Sequence, residues 1–342
     1  MKILVTPTSF SRERAPAAWN RLSTFASAIV MNPFGKPLTE KEILPLLEGV
    51  DGWIAGLDFI TKDVIRQAPA TLKVISRYGV GMERVDLATA AERGIVVTNT
   101  PGVNADAVAD LAIGLLLSVA RQIPSLDRQV KAGGWPRTTG VQLSGKTLGV
   151  LGLGAIGKGV ARRAQGFSMK VAAYDPWMDT EYSERNGILP MALDDLLLCS
   201  DVLSLHLPLN RETANLLDAE RIVRLKPGVI LINTSRGGLM DESALVSQLE
   251  AGRIGGLGLD AFAMEPPGDN PLFRFENVVA TPHAGAHTFE AALNMAMLSV
   301  ENAIAVLSGK VCLHIINGKV VDTTYASDKD GAFGGLTHAE RP

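Results

Sequence analysis

The most informative part of this sequence is the run Leu148-Gly149-Val150-Leu151-Gly152-Leu153-Gly154-Ala155-Ile156-Gly157. An apolar strand leads into a Gly-x-Gly-x-x-Gly turn, and residues 158–165 then have the composition of a helix. Gly152 permits the tight turn, Gly154 lets the backbone approach a pyrophosphate, and Gly157 lets the helix pack on the sheet. The start of the helix has unpaired N–H groups and carries the positive end of the helix dipole, and both favour binding of phosphate groups. The run therefore predicts a dinucleotide-binding site.

An acidic residue follows the next strand of the same unit. Residues 170–174 read as that strand, and Asp175 comes directly after it, 23 residues beyond Gly152. A carboxylate there would bind the ribose hydroxyls of adenosine and repel the additional phosphate of NADP. No arginine occurs in residues 176–180, so the sequence favours NAD. The alternative is that Asp175 only caps the end of the strand.

Composition excludes several other classes of protein. The 342 residues include 33 Lys+Arg and 36 Asp+Glu, a formal net charge of −3, which argues against nucleic acid or an anionic membrane as a partner. The two cysteines predict no disulfide framework, and the chain start lacks the apolar core of a signal peptide. We expect a cytoplasmic protein that binds neither nucleic acid, nor a membrane, nor a metal ion.

Short apolar runs alternate with segments of helical period along the chain, which predicts βαβ units on parallel sheets and an α/β fold. The first series of strands is expected at residues 2–6, 28–32, 52–56, 73–77 and 95–99. The second series is expected at residues 147–151, 170–174, 201–206, 229–233, 256–260 and 277–280. Long apolar helices are expected at residues 104–121 and 289–307.

Three of these strand ends carry side chains suited to catalysis. Arg236 lies in Asn-Thr-Ser-Arg-Gly-Gly, Glu265 follows Asp-Ala-Phe-Ala-Met, and His283 lies in Thr-Pro-His-Ala-Gly-Ala. In doubly wound folds ligands bind outside the carboxyl ends of the strands. A guanidinium there can grip a carboxylate, and an acid beside an imidazole suits it to proton transfer. Alternatively Arg236 makes a surface ion pair. The remaining histidines are expected to be structural: His206, His287, His314 and His338.

These motifs, in this order, resemble those of the D-isomer-specific 2-hydroxyacid dehydrogenases, and within that family the short phosphoglycerate dehydrogenase-like members. The resemblance covers about residues 1–320. It implies a catalytic trio of Arg236, Glu265 and His283, with Asp260 near the nicotinamide carboxamide. The residues that it and the glycine motif assign to NAD are Gly152, Gly154, Ala155, Ile156, Gly157, Asp175, Leu207, Pro208, Thr234, Ser235, Asp260 and Gly285.

The resemblance also implies a domain organisation. It predicts two doubly wound parallel-sheet domains, with a Rossmann NAD-binding domain (residues 101–288) inserted in a discontinuous, flavodoxin-like substrate domain (residues 1–100 and 289–321). The polar residues 322–342 are expected to be a disordered tail. A homodimer is expected through the helix at 104–121, although that helix could equally be buried within one subunit.

The substrate loop of the family matches Ser76-Arg77-Tyr78-Gly79-Val80-Gly81. The resemblance implies that Tyr78, Val80, Gly81 and Arg236 bind the substrate, with the N–H groups of Val80 and Gly81 holding its carboxylate. Specificity is expected to reside near Tyr78–Gly81. A plain strand-to-helix turn is the alternative. Arg77 and Arg137 could reach a substrate phosphate but are expected to be surface charges.

The expected activity is hydride transfer between NAD and C2 of a D-2-hydroxy acid or 2-keto acid, with phosphoglycerate-like compounds as the first candidates. The family's phosphoglycerate enzymes typically place an arginine at the strand end Ala55-Gly56-Leu57, where this chain has none. Glyoxylate or hydroxypyruvate reduction is therefore the alternative. Formate is not expected as the substrate, because the family's formate enzymes typically carry a glutamine where this chain has Glu265. That argument does not exclude phosphite. A different class, an NAD-sensing corepressor-like binding protein, also shares this fold.

Overall fold

Two parallel sheets, each with its strands in a doubly wound order, organise the protein. A computed structural model describes residues 1–318, so the expected tail at 322–342 lies outside the described residues. The first sheet has the order β2-β1-β3-β4-β5, which is flavodoxin-like. Its strands are β1 (Lys2–Val5), β2 (Ala28–Met31), β3 (Gly52–Ala55), β4 (Val74–Arg77) and β5 (Val96–Thr98).

The second sheet has the order β12-β11-β10-β9-β6-β7-β8, which contains the Rossmann arrangement. Its strands are β6 (Thr147–Leu151), β7 (Lys170–Tyr174), β8 (Leu189–Pro190), β9 (Val202–Leu205), β10 (Val229–Asn233), β11 (Ile254–Leu259) and β12 (Val278–Ala280). The expected fold class of two doubly wound parallel sheets is confirmed. The predicted second series lacked β8, because two residues ending in proline carry no strand pattern.

Helices cover both faces of each sheet. Those of the first hundred residues are α1 (Pro16–Phe25), α2 (Glu40–Ile43), α3 (Lys62–Gln67) and α4 (Leu87–Glu92). They are followed by α5 (Ala105–Ala120), α6 (Ile123–Lys131), α7 (Ala155–Gly166), α8 (Thr180–Arg185), α9 (Leu193–Cys199), α10 (Ala219–Arg224), α11 (Glu242–Glu250) and α12 (Phe289–Leu307). Short 3₁₀ turns span Leu44–Leu47, Gly237–Leu239 and Pro271–Arg274.

The chain passes from the first sheet to the second and back again. Helix α5 packs on β10, β11 and α7, whereas α12 packs on α1 and on strands β3, β4 and β5. Buried hydrogen bonds hold α12 there: Ser76 Oγ donates to Ser299 O at 2.8 Å, and Asn302 Nδ2 donates to Asn99 O at 2.9 Å. The expected domain boundaries stay a prediction, and these two crossings support it.

Apolar side chains fill each interface between sheet and helices. Met295, Val300 and Ala303 of α12 join Ile3 and other residues of the first sheet in one buried cluster. By length and composition alone, α12 is long and apolar enough to cross a bilayer. The same holds for α5 and α6 if the two helices, which meet at a 62° bend, are counted as one span. The packing of α12 on the first sheet accounts for its apolar character.

Candidate active site

The glycine-rich turn connects β6 to α7 at the point where the strand order reverses. Gly152 has a φ of +98°, which favours glycine, and a Cβ there would lie 2.8 Å from the backbone that follows β9. A Cβ at Gly157 would collide with the carbonyl oxygen of Gly152. Helix α7 begins at Ala155 without a side-chain cap, so the N–H groups of its first turn, including that of Ile156, remain available to an anion. Gly154 precedes them and is exposed.

Asp175 follows β7 and faces this turn. Its Oδ2 accepts a hydrogen bond from the Leu153 N–H at 2.7 Å, and its Oδ1 accepts one from the Trp177 N–H at 2.8 Å. These bonds hold the carboxylate beside the glycine-rich turn. A ribose bound along the turn would meet an oriented acceptor there.

The segments after β9 and β10 form the opposite wall of this crevice. Ser235 Oγ donates to Leu207 O at 2.6 Å, joining the two segments, and Pro208 is exposed beside them. Thr234 is only 7% exposed, and its Oγ1 is buried with no hydrogen-bond partner within residues 1–318. An unpaired buried hydroxyl costs free energy that a bound ligand could recover.

His206 directly follows β9 and lies in the same wall. One ring nitrogen, Nε2, is 2.8 Å from Ser204 Oγ, while Nδ1 is buried and has no partner among the described residues. Burial lowers the pKa of His206 to about 3. The ring is therefore neutral at physiological pH, and its structural role stays a prediction.

His283 and Glu265 form a pair at the ends of β12 and β11. His283 Nδ1 lies 2.9 Å from Glu265 Oε2 and 3.0 Å from Oε1, and both side chains are half-buried. Burial alone would raise the pKa of Glu265, but the hydrogen bond and charge of His283, with the Phe262 N–H and the charge of Arg236, hold it below its usual range. The second imidazole nitrogen, Nε2, makes no hydrogen bond within residues 1–318. The sequence predicted this pairing.

Asp260 holds the loop that carries His283. Its Oδ1 accepts from Thr281 Oγ1 at 2.6 Å and from the Ala284 N–H at 2.7 Å, and its Oδ2 accepts from the Gly285 N–H at 2.8 Å. Asp260 is 1% exposed. Contact of Asp260 and Gly285 with a cofactor stays a prediction, and the interactions present shape the histidine loop.

Arg236, after β10, reaches across to the first sheet. Its Nε donates to Glu83 Oε1 at 2.5 Å, and its Nη1 donates to Ser235 O at 2.7 Å. Its Nη2 and the Oε2 of Glu83 both lie against Gly81, where an added Cβ would collide with them. Sequence reasoning missed Glu83, and its position two residues after Gly81, the last residue of the substrate loop, was the available signal.

The substrate loop presents donors to the same point. Neither the Val80 nor the Gly81 N–H donates a hydrogen bond to another group in residues 1–318. The loop itself is fixed, because Gly79 N–H donates to Thr100 Oγ1 at 3.0 Å and Asn99 Nδ2 donates to Val80 O at 3.1 Å. Two backbone N–H groups without a partner and Arg236 Nη2 thus lie near Gly81, with the Glu83 carboxylate beside them, and such donors are the ones that an anion site uses.

Two residues of this loop lie differently from what was expected. The Tyr78 side chain points into the core, where its hydroxyl accepts from Ser9 Oγ at 3.1 Å and donates to Ala292 O at 3.0 Å. Only its backbone can therefore serve the substrate. Arg77 is no surface charge: it is 6% exposed, and its Nη1 donates to Tyr78 O at 2.6 Å. Burial lowers the pKa of Arg77 to about 10.

The residues present fit a nicotinamide dinucleotide. The uncapped helix start, the close backbone approach at Gly152 and Gly157, and the unpaired Thr234 hydroxyl all lie at the carboxyl ends of strands of the second sheet, where doubly wound folds bind ligands. Residues 1–318 contain no group of three or more His, Cys, Asp or Glu side chains that could hold a metal ion.

Comparison with known proteins gives a consistent result. The chain is 42% identical over 278 residues to a D-3-phosphoglycerate dehydrogenase of Archaeoglobus fulgidus, covering 80% of this chain and 52% of that protein. It is also 42% identical over 276 residues to a glyoxylate reductase of Thermococcus litoralis, covering 78% of this chain and 83% of that protein. The chain thus spans about half the length of the phosphoglycerate dehydrogenase relative.

A solved structure and a family model also match the chain. The TT0316 protein of Thermus thermophilus has a TM-score of 0.82 and 38% identity, covering 92% of this chain and all of its own. The model for the family described as "D-isomer specific 2-hydroxyacid dehydrogenase, NAD binding domain" matches residues 113–285. The chain therefore belongs to the D-isomer specific 2-hydroxyacid dehydrogenase family, with the NAD-binding domain of that family at residues 113–285.

Proposed function

We propose that the protein is an NAD-dependent oxidoreductase that transfers a hydride between nicotinamide and C2 of a D-2-hydroxy acid or 2-keto acid. The His283–Glu265 pair, 2.9 Å apart and close enough to Arg236 for its charge to lower the pKa of Glu265, is the observation that carries this proposal. The pair supplies a proton acceptor, and Arg236 with Val80 and Gly81 supplies an anion site. A 2-hydroxy acid needs both within one small crevice.

In the oxidation direction, His283 Nε2 takes the proton of the substrate hydroxyl. His283 Nδ1–H donates to the Glu265 carboxylate, which stabilises the imidazolium that forms. Arg236 and the N–H groups of Val80 and Gly81 bind the substrate carboxylate and orient C2. A nicotinamide cofactor held at the turn of Gly152 and Gly157 and beside Asp175 would supply the hydride chemistry in both directions. In reduction His283 gives its proton back to the 2-keto oxygen.

Two substrate classes fit this site, and one observation favours each. Arg84 comes directly after Glu83, is half-buried, and places its Nη1 2.8 Å from Leu57 O, so a cation borders the loop where the phosphate of a phosphoglycerate-type substrate could lie. Leu57 itself is neutral and 46% exposed, which suits the smaller, unphosphorylated glyoxylate or hydroxypyruvate.

The deciding experiment is NADH oxidation by the purified protein with phosphohydroxypyruvate, hydroxypyruvate, glyoxylate and pyruvate. We expect one keto acid to exceed the others in kcat/KM, and a preference for phosphohydroxypyruvate would select the phosphate-binding alternative. Turnover of none of them, with NADH still bound, would overturn the proposed activity and favour a binding protein.

We propose NAD rather than NADP because the Asp175 carboxylate would repel a 2′-phosphate, while Lys158 is held by Asp179 at 2.6 Å. The dissociation constant of NADH should be at least about tenfold below that of NADPH. Replacement of Asp175 by alanine should narrow that ratio, and an unchanged ratio would remove Asp175 from this role. The homodimer and the cytoplasmic location stay predictions.

A further inference from the structure

Glu83 holds the guanidinium of Arg236 from the far side of the crevice. Arg236 is attached to the second sheet and Glu83 to the first, and the pair joins Arg236 Nε to Glu83 Oε1 at 2.5 Å. Arg236 Nη1 is engaged by Ser235 O at 2.7 Å. Two of the three guanidinium nitrogens are therefore fixed, and a planar group with two fixed nitrogens has a fixed third. That third nitrogen, Nη2, is the one beside Gly81.

The Glu83 carboxylate lies at the edge of the anion site, because its Oε2 as well as Arg236 Nη2 lies against Gly81. A carboxylate seated in the site itself would accept hydrogen bonds from the Val80 and Gly81 N–H groups, yet within residues 1–318 neither amide donates one. Glu83 Oε1 instead accepts the hydrogen bond of Arg236 Nε. Arg236 Nη2 and the two N–H groups have no hydrogen-bond partner within residues 1–318. The arrangement is that of a support for Arg236 rather than of an occupant of its binding site.

The charges around Glu83 keep it in the form that this contact needs. Burial would raise the pKa of Glu83, but the hydrogen bond and charge of Arg236, and more weakly the charge of buried Arg77, hold that pKa below its usual range. The Glu83 side chain is 53% exposed. Because half-exposed ion pairs add little to stability, its loss should affect ligand binding more than folding.

We propose that Glu83 is a positioning residue for the substrate carboxylate: it orients Arg236 so that Nη2 converges with the N–H groups of Val80 and Gly81. The inference rests on the proposed function and adds to it a fourth contributor, one that does not touch the substrate. Misplacing a binding group by about 1 Å can cost on the order of 100-fold in rate.

The test measures binding of oxamate, an unreactive analogue of a 2-keto acid, to the NADH complex by quenching of NADH fluorescence. The variants are Glu83→Ala, Glu83→Gln and Glu83→Asp, with Glu92→Gln, an exposed change of equal charge on α4, as the control. Oxamate affinity should fall by about 10- to 100-fold in the alanine variant, less in the glutamine variant, and recover in part with aspartate. The KM of the keto acid should rise in parallel, while NADH affinity and Tm stay unchanged.

Three other outcomes overturn the proposal. Unchanged or tighter oxamate binding in Glu83→Ala would show that Glu83 is dispensable or competes for the site, with the proposed function intact. A lower Tm and kcat with unchanged oxamate affinity would show a structural brace. If the unaltered protein neither binds oxamate nor reduces any keto acid, the proposed function fails, and the role of Glu83 fails with it.

Discussion

At the scale of single residues, the backbone of His283 explains why Asp260 is buried beside it. His283 has a φ of +51°, in the left-handed region that non-glycine residues seldom adopt. The hydrogen bonds from the Ala284 and Gly285 N–H groups to Asp260 hold the loop in that conformation. The imidazole is thereby aimed at Glu265 by a contact that the sequence did not predict.

His283→Asn should separate the chemistry of this residue from its conformation. Asparagine tolerates a left-handed backbone better than most residues do, so the loop should keep its shape while the proton acceptor is lost. We expect kcat for keto-acid reduction to fall by about 10²- to 10⁴-fold, with NADH affinity unchanged in a fluorescence titration. The control is His287→Asn, an exposed histidine four residues on, which should retain normal turnover. Normal turnover in His283→Asn would remove His283 from proton transfer.

His206 should make the stability of the protein depend on pH. Its pKa in the folded state is about 3, against about 6.5 in an unfolded chain. Above pH 6.5 the ring is neutral in both states. As the pH falls from 6.5 toward 3, only the unfolded chain binds the proton, so the free energy of unfolding decreases by up to about 1.4 kcal/mol per pH unit. His206→Gln should remove this contribution.

The measurement is urea unfolding at pH 7.5 and pH 5.0. The difference in free energy of unfolding between the two pH values should be up to about 2 kcal/mol smaller in His206→Gln than in the unaltered protein. The same substitution at exposed His287 should leave that difference unchanged. Equal pH dependence in all three proteins would mean that the His206 ring takes up its proton in the folded state.

At the scale of elements, most strands and both long helices could be predicted, because their apolar residues repeat with a local period. The expected helix at 104–121 is α5 (Ala105–Ala120), and the one at 289–307 is α12. The direction of the side chains at the strand ends was harder to predict from the sequence. Arg77 and Tyr78 are adjacent and both buried, but only the fold shows that one supports a loop carbonyl and the other faces α12.

Gly157→Ala should test the packing of α7 on the second sheet. An added Cβ would collide with the Gly152 carbonyl oxygen and lie 3.2 Å from Val150 Cγ1, so the helix start must move away from β6. We expect the free energy of unfolding to fall by about 1–3 kcal/mol and NADH binding to weaken.

The matched control for that change is Gly166→Ala at the other end of α7. A Cβ at Gly166 has open space around it, and alanine favours a helix over glycine by up to about 1 kcal/mol. The measurements are thermal unfolding and an NADH titration of both variants. Gly157→Ala should lower the Tm and the affinity for NADH, whereas Gly166→Ala should raise the Tm or leave it unchanged and should not weaken NADH binding. Equal effects would refute the collision as the cause.

At the scale of the whole molecule, the local pattern predicted two sheets, but the return of α12 to the first sheet came only from the family resemblance. No periodicity within residues 289–307 tells which sheet the helix will cover. Contacts far apart in sequence decide it, such as Ser76 with Ser299 and Tyr78 with Ala292. The partner of Arg236 was missed for the same reason: Glu83 lies 153 residues away along the chain, and only its closeness to Gly81 in the sequence pointed to it.

Asn302 of α12 links this return to the candidate substrate loop. Its Nδ2 donates to Asn99 O at 2.9 Å, and the Asn99 side chain in turn holds Val80 O. Asn302→Ala leaves a buried carbonyl unpaired, so the free energy of unfolding should fall by about 1–3 kcal/mol in urea. The KM for the keto acid should rise, because the loop loses its support. Asn294→Ala, exposed on the same helix, should change neither quantity. Loss of stability without a change in KM would show that α12 supports the sheet and not the site.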